Sequence, residues 1–528
     1  MGKTLLSIFD GKTNPNQPAI IIPSSAPIPS TVTYPQLLET IRDFSSQLNA
    51  LVPGLKPGDA IAISYLNSLE FVVSFLATGF MRLISAPLNP AYTEDEFTFY
   101  LEDSKAKVMI VPRGAVNDKT KNAAIKAAQK QGAAVIEVHW DGQSIEAVAL
   151  GSNKSGKSIS RIAPSFGPQP DDVTLLLHTS GTTGRPKGVP LSHLNLTTSM
   201  HNIVNTYELT PKDRTYLVMP LFHVHGLLCG LLATLLSGGS VVIPQKFSAS
   251  HFWKDFTDTG SNWYTAVPTI HQILLRDPPA QVPPIRFIRS CSSSLAPATF
   301  QAIEHHFKAP VLEAYAMTEA SHQMTSNPLP SRGVHKPGSV GIGQGVEVVI
   351  LDEQGNPVEE GEVCIRGANV TRGYLNNPKA TAESFTKDGY FRTGDQGKKD
   401  KDGYLVLTGR IKELINRGGE KISPLELDSV LLSSPGIAEA VSFAVPDPMY
   451  GQEVHAAVVL KDRKNSGKSD AAIEKELQAF VQTKVAKFKV PKRIYITDVM
   501  PKTATGKIQR RVVSQTFFKE PAPSRAKL

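Results

Sequence analysis

Cysteine is scarce in this chain. Its three cysteines, Cys229, Cys291 and Cys364, form neither a CxxC pair nor a metal-ligand spacing. A disulfide framework needs several cysteine pairs, and a structural zinc site needs clustered thiolates or imidazoles. The sequence therefore indicates a reducing compartment and argues against both a disulfide-stapled fold and a structural zinc site.

A long uninterrupted apolar run is also missing. The first residues, MGKTLLSIFDGK, lack the apolar core of a signal peptide. The most apolar stretch, residues 218–243, is broken by Pro220, His223, His225 and several glycines. It predicts a buried strand and a core helix, so we expect no membrane span.

The remaining composition is typical of a large globular protein. A chain of 528 residues exceeds what one hydrophobic core usually supports, so two or more domains are expected. Hydrophobic residues make up 41% and charged residues 20%, which argues against disordered, collagen-like and coiled-coil classes. The net charge of +8 favours polyanionic partners such as nucleotides, coenzyme A or nucleic acid, without choosing among them.

Helical and strand-like segments alternate along the first half of the chain. Residues 34–51 and 68–81 have helical periodicity, whereas residues 59–65, 107–111 and 134–138 are short apolar runs typical of buried strands. This alternation predicts an α/β architecture with largely parallel sheets.

The composition changes twice further along the chain. Residues 147–171 are rich in Gly, Ser, Lys and Pro, which is typical of an exposed connection. Residues 341–366 and 403–407 predict short strands separated by turns, and a smaller α+β unit begins near Gly409. No internal repeat is present.

The strongest motif is a segment rich in glycine and hydroxyl groups that directly follows an apolar run. Its glycines allow backbone N–H groups to approach an anion closely, its hydroxyls donate, and its lysine supplies positive charge. It is not a Walker A loop, because the GxxxxGK[ST] spacing is absent and Pro190 prevents a helix from starting at the lysine. A flexible linker is the alternative, which a Pro-Lys pair after a buried strand disfavours. The segment consists of Ser180, Gly181, Thr182, Thr183, Gly184, Arg185, Pro186, Lys187 and Gly188.

Four further motifs follow in order, and with them the chain resembles the adenylate-forming superfamily of acyl-CoA synthetases, luciferases and peptide-synthetase adenylation domains. The resemblance covers nearly the whole length. It implies an α/β fold with a large N-terminal domain of parallel sheets and a β-barrel-like subdomain (1–411), a small mobile α+β C-terminal domain (412–520) and a flexible tail (521–528). The motifs are Tyr315-Ala-Met-Thr318-Glu319, Tyr390-Phe-Arg-Thr-Gly-Asp395, Gly409-Arg410-Ile-Lys412-Glu and Pro501-Lys-Thr-Ala-Thr-Gly506-Lys507.

The resemblance implies an ATP-dependent ligase that joins an acid to coenzyme A. A carboxylate resists thiol attack because its charge repels the nucleophile and oxide is a poor leaving group. Displacing pyrophosphate from ATP gives an acyl-adenylate, which the thiol can attack. Bringing a carboxylate to a triphosphate requires cations, and the resemblance places Mg²⁺ near Glu319 and Thr318 at the α-phosphate.

The same resemblance assigns the nucleotide-binding residues. Tyr315 would stack on adenine, Asp395 would accept hydrogen bonds from both ribose hydroxyls, and Arg410 would contact that ribose. Lys507 would stabilise the charge that develops during adenylation, with Thr318 and His223 as the other catalytic residues. The complete nucleotide set is Ser180, Gly181, Thr182, Thr183, Gly184, Lys187, Ser293, Glu313, Ala314, Tyr315, Thr318, Asp395, Arg410 and Lys507.

In this superfamily the C-terminal domain rotates about a hinge between the two half-reactions, which corresponds here to Lys412. Gly418 and Gly419 would leave room for the pantetheine arm of coenzyme A, next to Glu420.

In the superfamily that the chain resembles, the acyl pocket is lined by segments that correspond to residues 221–227, 290–295 and 315–322. Relatives that take fatty or aromatic acids commonly have glycine or small apolar residues in the middle segment, where this chain has serines. Burying hydroxyl or imidazole groups costs roughly 1–3 kcal/mol each unless they are paired, so this lining disfavours an alkyl chain. It favours a short acid with a second polar group, such as a second carboxylate. Longer strings around Trp263, Ile288 and Leu312 resemble the oxalate–CoA ligase branch. The candidate pocket residues are His223, His225, Ser292 and His322.

Four alternatives remain open from the sequence. The acid could be a medium-chain or hydroxycinnamic acid, or the chain could serve a carrier protein. A protein that binds RNA nonspecifically through its basic surface is the alternative of another class, although no RNP motif or zinc finger is present. His223 and His225 could also form a metal pair, but no third ligand lies nearby in sequence.

The last three residues, Ala526, Lys527 and Leu528, resemble the small-basic-leucine address of the peroxisomal import receptor. They predict that receptor as a partner and the peroxisome matrix as the location, with the cytoplasm as a second location.

Overall fold

The structure, a computed structural model, describes residues 2–12, 14–115, 122–151, 155–156, 167–179, 186–463, 467–502 and 508–518. Strands in this part of the chain form four sheets, and helices cover the larger two. The predicted α/β class is therefore confirmed. None of the described helices is long and apolar enough to cross a membrane.

The first sheet has parallel strands at its centre and antiparallel strands at its two edges. Its order is β7-β6-β5-β3-β4-β8-β9. The three strands predicted in this region are present, each within two residues of its expected bounds. The strands are β3 (Ala60–Ser64), β4 (Ile84–Leu88), β5 (Val108–Pro112), β6 (Ala134–Trp140), β7 (Ile145–Ala149), β8 (Val173–Thr179) and β9 (Lys187–Ser192).

The second sheet carries most of the candidate acyl pocket. Its order is β16-β15-β14-β13-β12-β10-β11-β1-β2, with parallel pairing from β14 through to β1. Because parallel strands end at the same edge of a sheet, the residues that follow β12, β13 and β14 meet there. The strands are β1 (Pro18–Ile22), β2 (Ser30–Thr33), β10 (Arg214–Tyr216), β11 (Ser240–Val242), β12 (Trp263–Ala266), β13 (Phe287–Ser290), β14 (Val311–Met317), β15 (His322–Ser326) and β16 (Ile342–Gly343).

The predicted barrel-like subdomain is a four-stranded antiparallel sheet of order β17-β18-β19-β20. Its apolar face packs against Tyr315, Ala320 and Met324 from the second sheet and the turn beside it. This packing brings the end of β14 next to β19. The strands are β17 (Glu347–Leu351), β18 (Glu360–Arg366), β19 (Phe391–Lys399) and β20 (Leu405–Arg410).

The fourth sheet lies after residue 411 and has a hydrophobic cluster of its own, formed by residues between Ile415 and Ile496. Its order is β22-β21-β24-β23, and β25 pairs with β24 in parallel. It belongs to the smaller α+β unit that the sequence predicts near Gly409. The strands are β21 (Ile415–Arg417), β22 (Glu420–Ile422), β23 (Ile437–Asp447), β24 (Gly451–Leu460) and β25 (Arg493–Thr497).

Helix starts follow local capping rules. Thr33 caps the first helix in a reciprocal capping box with Gln36, which fixes its start at the predicted residue.

The predicted core helix after Val218 is instead a π-helix, His225–Leu232, a rare form that often marks functional sites. The α-helices are α1 (Tyr34–Leu51), α2 (Leu69–Phe80), α3 (Glu94–Ser104), α4 (Ala123–Lys130), α5 (His193–Tyr207), α6 (Ala233–Ser237), α7 (Ala249–Asp258), α8 (Pro268–Arg276), α9 (Pro297–Phe307), α10 (Pro378–Glu383), α11 (Pro424–Leu432), α12 (Asp470–Gln482) and α13 (Arg510–Phe517).

Candidate functional site

The phosphate-handling motif lies between two paired strands. Ser180, Gly181, Thr182, Thr183 and Gly184 lie outside the described residues, so their predicted roles stay predictions. The flanking strands β8 and β9 pair antiparallel, with Thr179 opposite Lys187. Lys187 starts a strand, in agreement with the argument that Pro190 prevents a helix from starting there.

Lys187 contacts an aromatic side chain that the sequence analysis missed. Its Nζ lies 4.4 Å from the centroid of the Tyr374 ring, within the range of a cation–π contact. The Tyr374 hydroxyl donates a 2.9 Å hydrogen bond to Oε1 of Glu319. Tyr374 therefore links the lysine of the phosphate motif to the candidate metal ligand.

Glu319 is suited to hold a divalent cation next to a polyphosphate. Its side chain is buried, and burial raises its pKa, although Tyr374, Arg410 and Lys187 oppose that shift. No cluster of three or more His, Cys, Asp or Glu side chains that could hold a metal occurs within the described ranges. Mg²⁺ is commonly held by one or two carboxylates together with waters and substrate phosphates, so a single buried carboxylate fits it.

The predicted adenine and ribose residues lie together. The Tyr315 hydroxyl donates to Asp395, and Nε of Arg410 lies 3.0 Å from the other carboxylate oxygen of Asp395. Asp395 and Arg410 are directly opposite each other on β19 and β20. Sheet register thus fixes this pair, and the packing of Tyr315 against that sheet completes the group.

Glu313 and Ala314 occupy the same strand as Tyr315, β14, and both are buried. The Glu313 carboxylate accepts hydrogen bonds from the backbone N–H groups of Gly338 (3.1 Å) and Leu295 (3.4 Å). Burial raises the pKa of Glu313 to about 7 against these two bonds. The carboxylate therefore ties β14 to the loop after β13 and to the backbone at Gly338. Ser293, in that loop, is exposed.

Thr318 and His223 line one small cavity of about 20 Å³. His178, which comes shortly before the phosphate motif, lines the same cavity, and its Nε2 lies 2.8 Å from Oδ2 of Asp103. The structure thus brings two of the predicted catalytic residues next to the strand that leads into the phosphate motif.

Among the candidate acyl-pocket residues, a chain of hydrogen bonds is centred on His225. Its Nδ1 lies 3.0 Å from Oγ of Ser292, and its Nε2 lies 2.6 Å from Oγ1 of Thr265. Burial, and then the nearby Arg289 cation, lowers the pKa of His225 well below its ordinary value. The imidazole is therefore neutral at physiological pH. Gly226 is required beside it, because a Cβ there would lie 2.3 Å from the Pro220 carbonyl oxygen.

His322 stacks on His225, with ring centroids 5.2 Å apart. Its Nε2 is buried and has no hydrogen-bond partner among the described residues. Ser292, Ser321 and His322 all have positive φ, at 73°, 49° and 91°. Such backbone conformations cost of order 1–3 kcal/mol each in non-glycine residues and cluster at functional sites.

Arg289, on β13, is the main residue that the sequence analysis missed. Its side chain is fully buried, and none of the described carboxylates forms an ion pair with it. Its partners are neutral: Tyr207 Oη at 2.7 Å, Thr265 Oγ1 at 3.2 Å and Gln323 Oε1 at 3.4 Å. A charged residue within the apolar strand sequence Phe287–Ser290 was the available signal, because arginine is rarely buried without a partner.

The candidate hinge and coenzyme A residues are separate from this group. Lys412 is exposed in a short 3₁₀ turn that follows β20. Gly418 and Gly419, at φ 61° and 96°, form the turn between β21 and β22, and Glu420 is exposed. Two successive positive φ values are typical of a tight hairpin turn, so turn geometry accounts for both glycines.

Lys507 lies outside the described residues, and its predicted role stays a prediction. Lys502 pairs with Ile508 across the segment that contains it. Shortly after it, Arg510 is held by Glu413 (3.2 Å) and Asp428 (2.8 Å). Arg510 is therefore held beside Glu413, the residue that follows Lys412.

Comparisons with known proteins agree with this arrangement. The family model of the AMP-binding enzymes matches residues 10–375, and the model of the AMP-binding enzyme C-terminal domain matches residues 426–507. An oxalate–CoA ligase of Saccharomyces cerevisiae is 50% identical over 526 residues, which cover 95% of each chain. An oxalate–CoA ligase of Arabidopsis thaliana is 49% identical over 499 residues, 93% of this chain and 94% of its own.

The structure also resembles solved enzymes. The crystal structure of ATP-bound MatB from Rhodopseudomonas palustris is 29% identical in sequence, covers 98% of this chain and 99% of its own, and superposes with a TM-score of 0.86. The ordered motifs, the geometry and these matches together show that the chain belongs to the AMP-binding, adenylate-forming enzyme family.

Proposed function

We propose that this enzyme is an ATP-dependent oxalate–CoA ligase. One carboxylate of oxalate attacks the α-phosphorus of ATP, and pyrophosphate leaves as the bond to the β-phosphate breaks. The thiolate of coenzyme A then attacks the carbonyl carbon of oxalyl-AMP, and AMP leaves. The products are oxalyl-CoA, AMP and pyrophosphate.

The observation that carries the choice of acid is the polar, buried wall of the pocket. Ser292 and His322 offer hydrogen-bonding groups where a fatty or aromatic acid needs apolar surface, and His225 is already paired with Ser292 and Thr265. An alkyl chain would leave these groups unpaired at a cost of about 1–3 kcal/mol each, whereas a second carboxylate would pair with them. The relatives named oxalate–CoA ligase support the same choice.

The nucleotide roles rest on the group formed by Tyr315, Asp395 and Arg410, together with Lys187. Asp395 accepts from the ribose hydroxyls, Tyr315 stacks on adenine, and Lys187 faces the phosphates. Glu319 would hold Mg²⁺, which neutralises phosphate charge when bound. Thr318 and His223 line one cavity, and in this proposal they contact the α-phosphate and the acid during adenylation.

The division of the chain is part of the proposal. Residues 1–411 form the domain that binds the nucleotide and the acid, and residues 412–520 form the mobile domain, with Lys412 as the hinge. An exposed residue in a one-turn helix can change its backbone angles without disturbing either hydrophobic core.

A panel of acids tests the choice of substrate. With saturating ATP and coenzyme A, we expect oxalate to give a kcat/KM at least about 100-fold above octanoate and coumarate, because these acids leave the polar wall unpaired. Release of pyrophosphate and chromatography of the thioester product measure it. A faster reaction with the apolar acids would show that the wall does not select the substrate.

We also propose that Ala526, Lys527 and Leu528 direct the enzyme to the peroxisome matrix. A fluorescent protein fused to the N-terminus should give punctate signal that coincides with a peroxisomal marker, and removal of the three residues should make it diffuse. Ala526→Ser, which gives the standard form of the address, is the matched control and should stay punctate. Unchanged punctate signal after removal would contradict the address.

A further inference from the structure

Arg289 lies behind the pocket wall, and its charge is uncompensated by any carboxylate of the described residues. Burying a guanidinium among neutral acceptors is costly unless an anion comes close. The groups between this cation and the pocket are Thr265 and His225, since Nη1 lies 3.2 Å from Thr265 Oγ1 and 3.5 Å from His225 Nε2. The charge of Arg289 therefore acts on the pocket through Thr265 and His225.

The hydrogen bonds that lead from Arg289 to Ser292 all run in the same direction from donor to acceptor. A guanidinium only donates, so Thr265 Oγ1 accepts from Arg289 and uses its own proton to donate to Nε2 of His225 at 2.6 Å. With Nε2 as an acceptor, neutral His225 carries its proton on Nδ1. That proton is donated to Ser292 Oγ at 3.0 Å, which leaves the hydroxyl proton of Ser292 to point away from His225.

At the far end of the chain, Ser292 Oγ accepts from His225, and its own proton is available to donate. Ser292 is half-buried and His225 is its hydrogen-bond partner, while the neighbouring His322 has a buried Nε2 without a partner in the described structure. Ser292 and His322 both have positive φ, a costly backbone conformation that persists only where the surrounding structure imposes it. An occupant that accepts hydrogen bonds and carries negative charge completes the site.

We propose that Arg289 is a positioning residue that orients the chain Thr265–His225–Ser292, so that the Ser292 hydroxyl donates to the non-reacting carboxylate of the acid. The proposal rests on the proposed function and deepens it, because it names the group that makes the pocket select acids with a second anionic group. Arg289 does not touch the acid. It sets the direction of the hydrogen bonds in this chain, and its positive charge compensates the negative charge of the non-reacting carboxylate.

The test compares oxalate with oxamate, which has the same shape but carries an amide in place of the second carboxylate. In the wild-type enzyme we expect kcat/KM to favour oxalate strongly. Arg289→Met should lower kcat/KM for oxalate by about 100-fold and change that for oxamate far less, because the oriented donor and the positive charge are lost together. Arg289→Lys should recover part of the preference, since it restores the charge without the forked geometry.

Arg286→Met is the matched control, because Arg286 directly precedes β13, the strand that contains Arg289. Arg286 is paired with Asp213 and does not contact the pocket chain, so its removal should leave the ratio of oxalate to oxamate unchanged. Thermal melting and the KM for ATP report whether each variant is folded. If Arg289→Met does not fold, Ser292→Ala tests the same chain by removing one hydroxyl, and it should lower the ratio by about 10-fold or more.

The results separate two kinds of failure. A wild-type enzyme that does not convert oxalate to its thioester would contradict the proposed function, whereas one that converts oxalate and oxamate equally well would contradict the selection for a second anionic group. A wild-type enzyme that prefers oxalate, with folded Arg289→Met and Ser292→Ala variants that keep the same preference, would contradict the role of Arg289 and leave the oxalate assignment intact. If Arg289→Met lowers kcat/KM equally for oxalate and oxamate, the result would also contradict the role of Arg289, because a purely structural role affects both acids.

Discussion

Replacing Lys507 by alanine should lower the rate of oxalate-dependent pyrophosphate release by about 1,000-fold. The ammonium group stabilises the charge that develops between the attacking carboxylate and the α-phosphate, and removing one such preorganised donor typically costs about 10²–10³ in rate. Pyrophosphate exchange with labelled pyrophosphate measures the adenylation step by itself.

The second half-reaction provides the control for Lys507. Thioester formation from supplied oxalyl-AMP should be much less affected, because that step does not bring a carboxylate to a triphosphate. Lys468→Ala, which removes an exposed lysine paired with Glu476, should leave both steps near wild-type rates. A Lys507→Ala enzyme that still exchanges pyrophosphate at the wild-type rate would remove the lysine from the mechanism.

Replacing Asp395 by alanine should raise the KM for ATP by about 100-fold. The variant loses two hydrogen bonds to a charged acceptor, each worth about 1.5–3 kcal/mol, and it leaves Arg410 without its partner at 3.0 Å. Asp395→Asn should have an intermediate effect, because its amide oxygen keeps one acceptor. Initial rates at varied ATP concentration, with oxalate saturating, measure the change.

Discrimination between ATP and 2′-deoxy-ATP tests the role of Asp395 more specifically than the KM for ATP does. The wild-type enzyme should discriminate against 2′-deoxy-ATP, and Asp395→Ala should lose most of that discrimination because the hydroxyl no longer has an acceptor to recognise. Asp352→Ala, in the turn after β17, is a control on the same sheet, two strands away from β19. Discrimination that survives in Asp395→Ala would assign ribose recognition to another residue.

That the candidate nucleotide-binding residues Tyr315, Asp395 and Arg410 lie together was predictable, because each of them lies in a motif. Tyr315, Asp395 and Arg410 come from three separate stretches, and their order along the chain indicated a shared role. The structure adds that Asp395 and Arg410 are opposite each other in the sheet. It also adds Tyr374, which no motif contained and which connects Lys187 to Glu319.

The acyl pocket was only partly predictable. His225, Ser292 and His322 were expected to lie near one another, and the structure places them so. Thr265 and Arg289 were missed because their roles depend on strands β12 and β13 lying side by side. A sequence pattern shows that Arg289 lies in an apolar strand, but it does not show which side chains surround it.

By itself, the sequence determined the alternation of helices and strands, the phosphate-handling motif and the family, because these depend on residues a few positions apart and on motifs in a fixed order. The tertiary structure alone decided that Arg289 is buried without a carboxylate partner behind His225, and that Lys187 rests on Tyr374. The physical reason is distance along the chain: residues that are 64 positions apart, such as His225 and Arg289, meet only when the order of the strands brings them together.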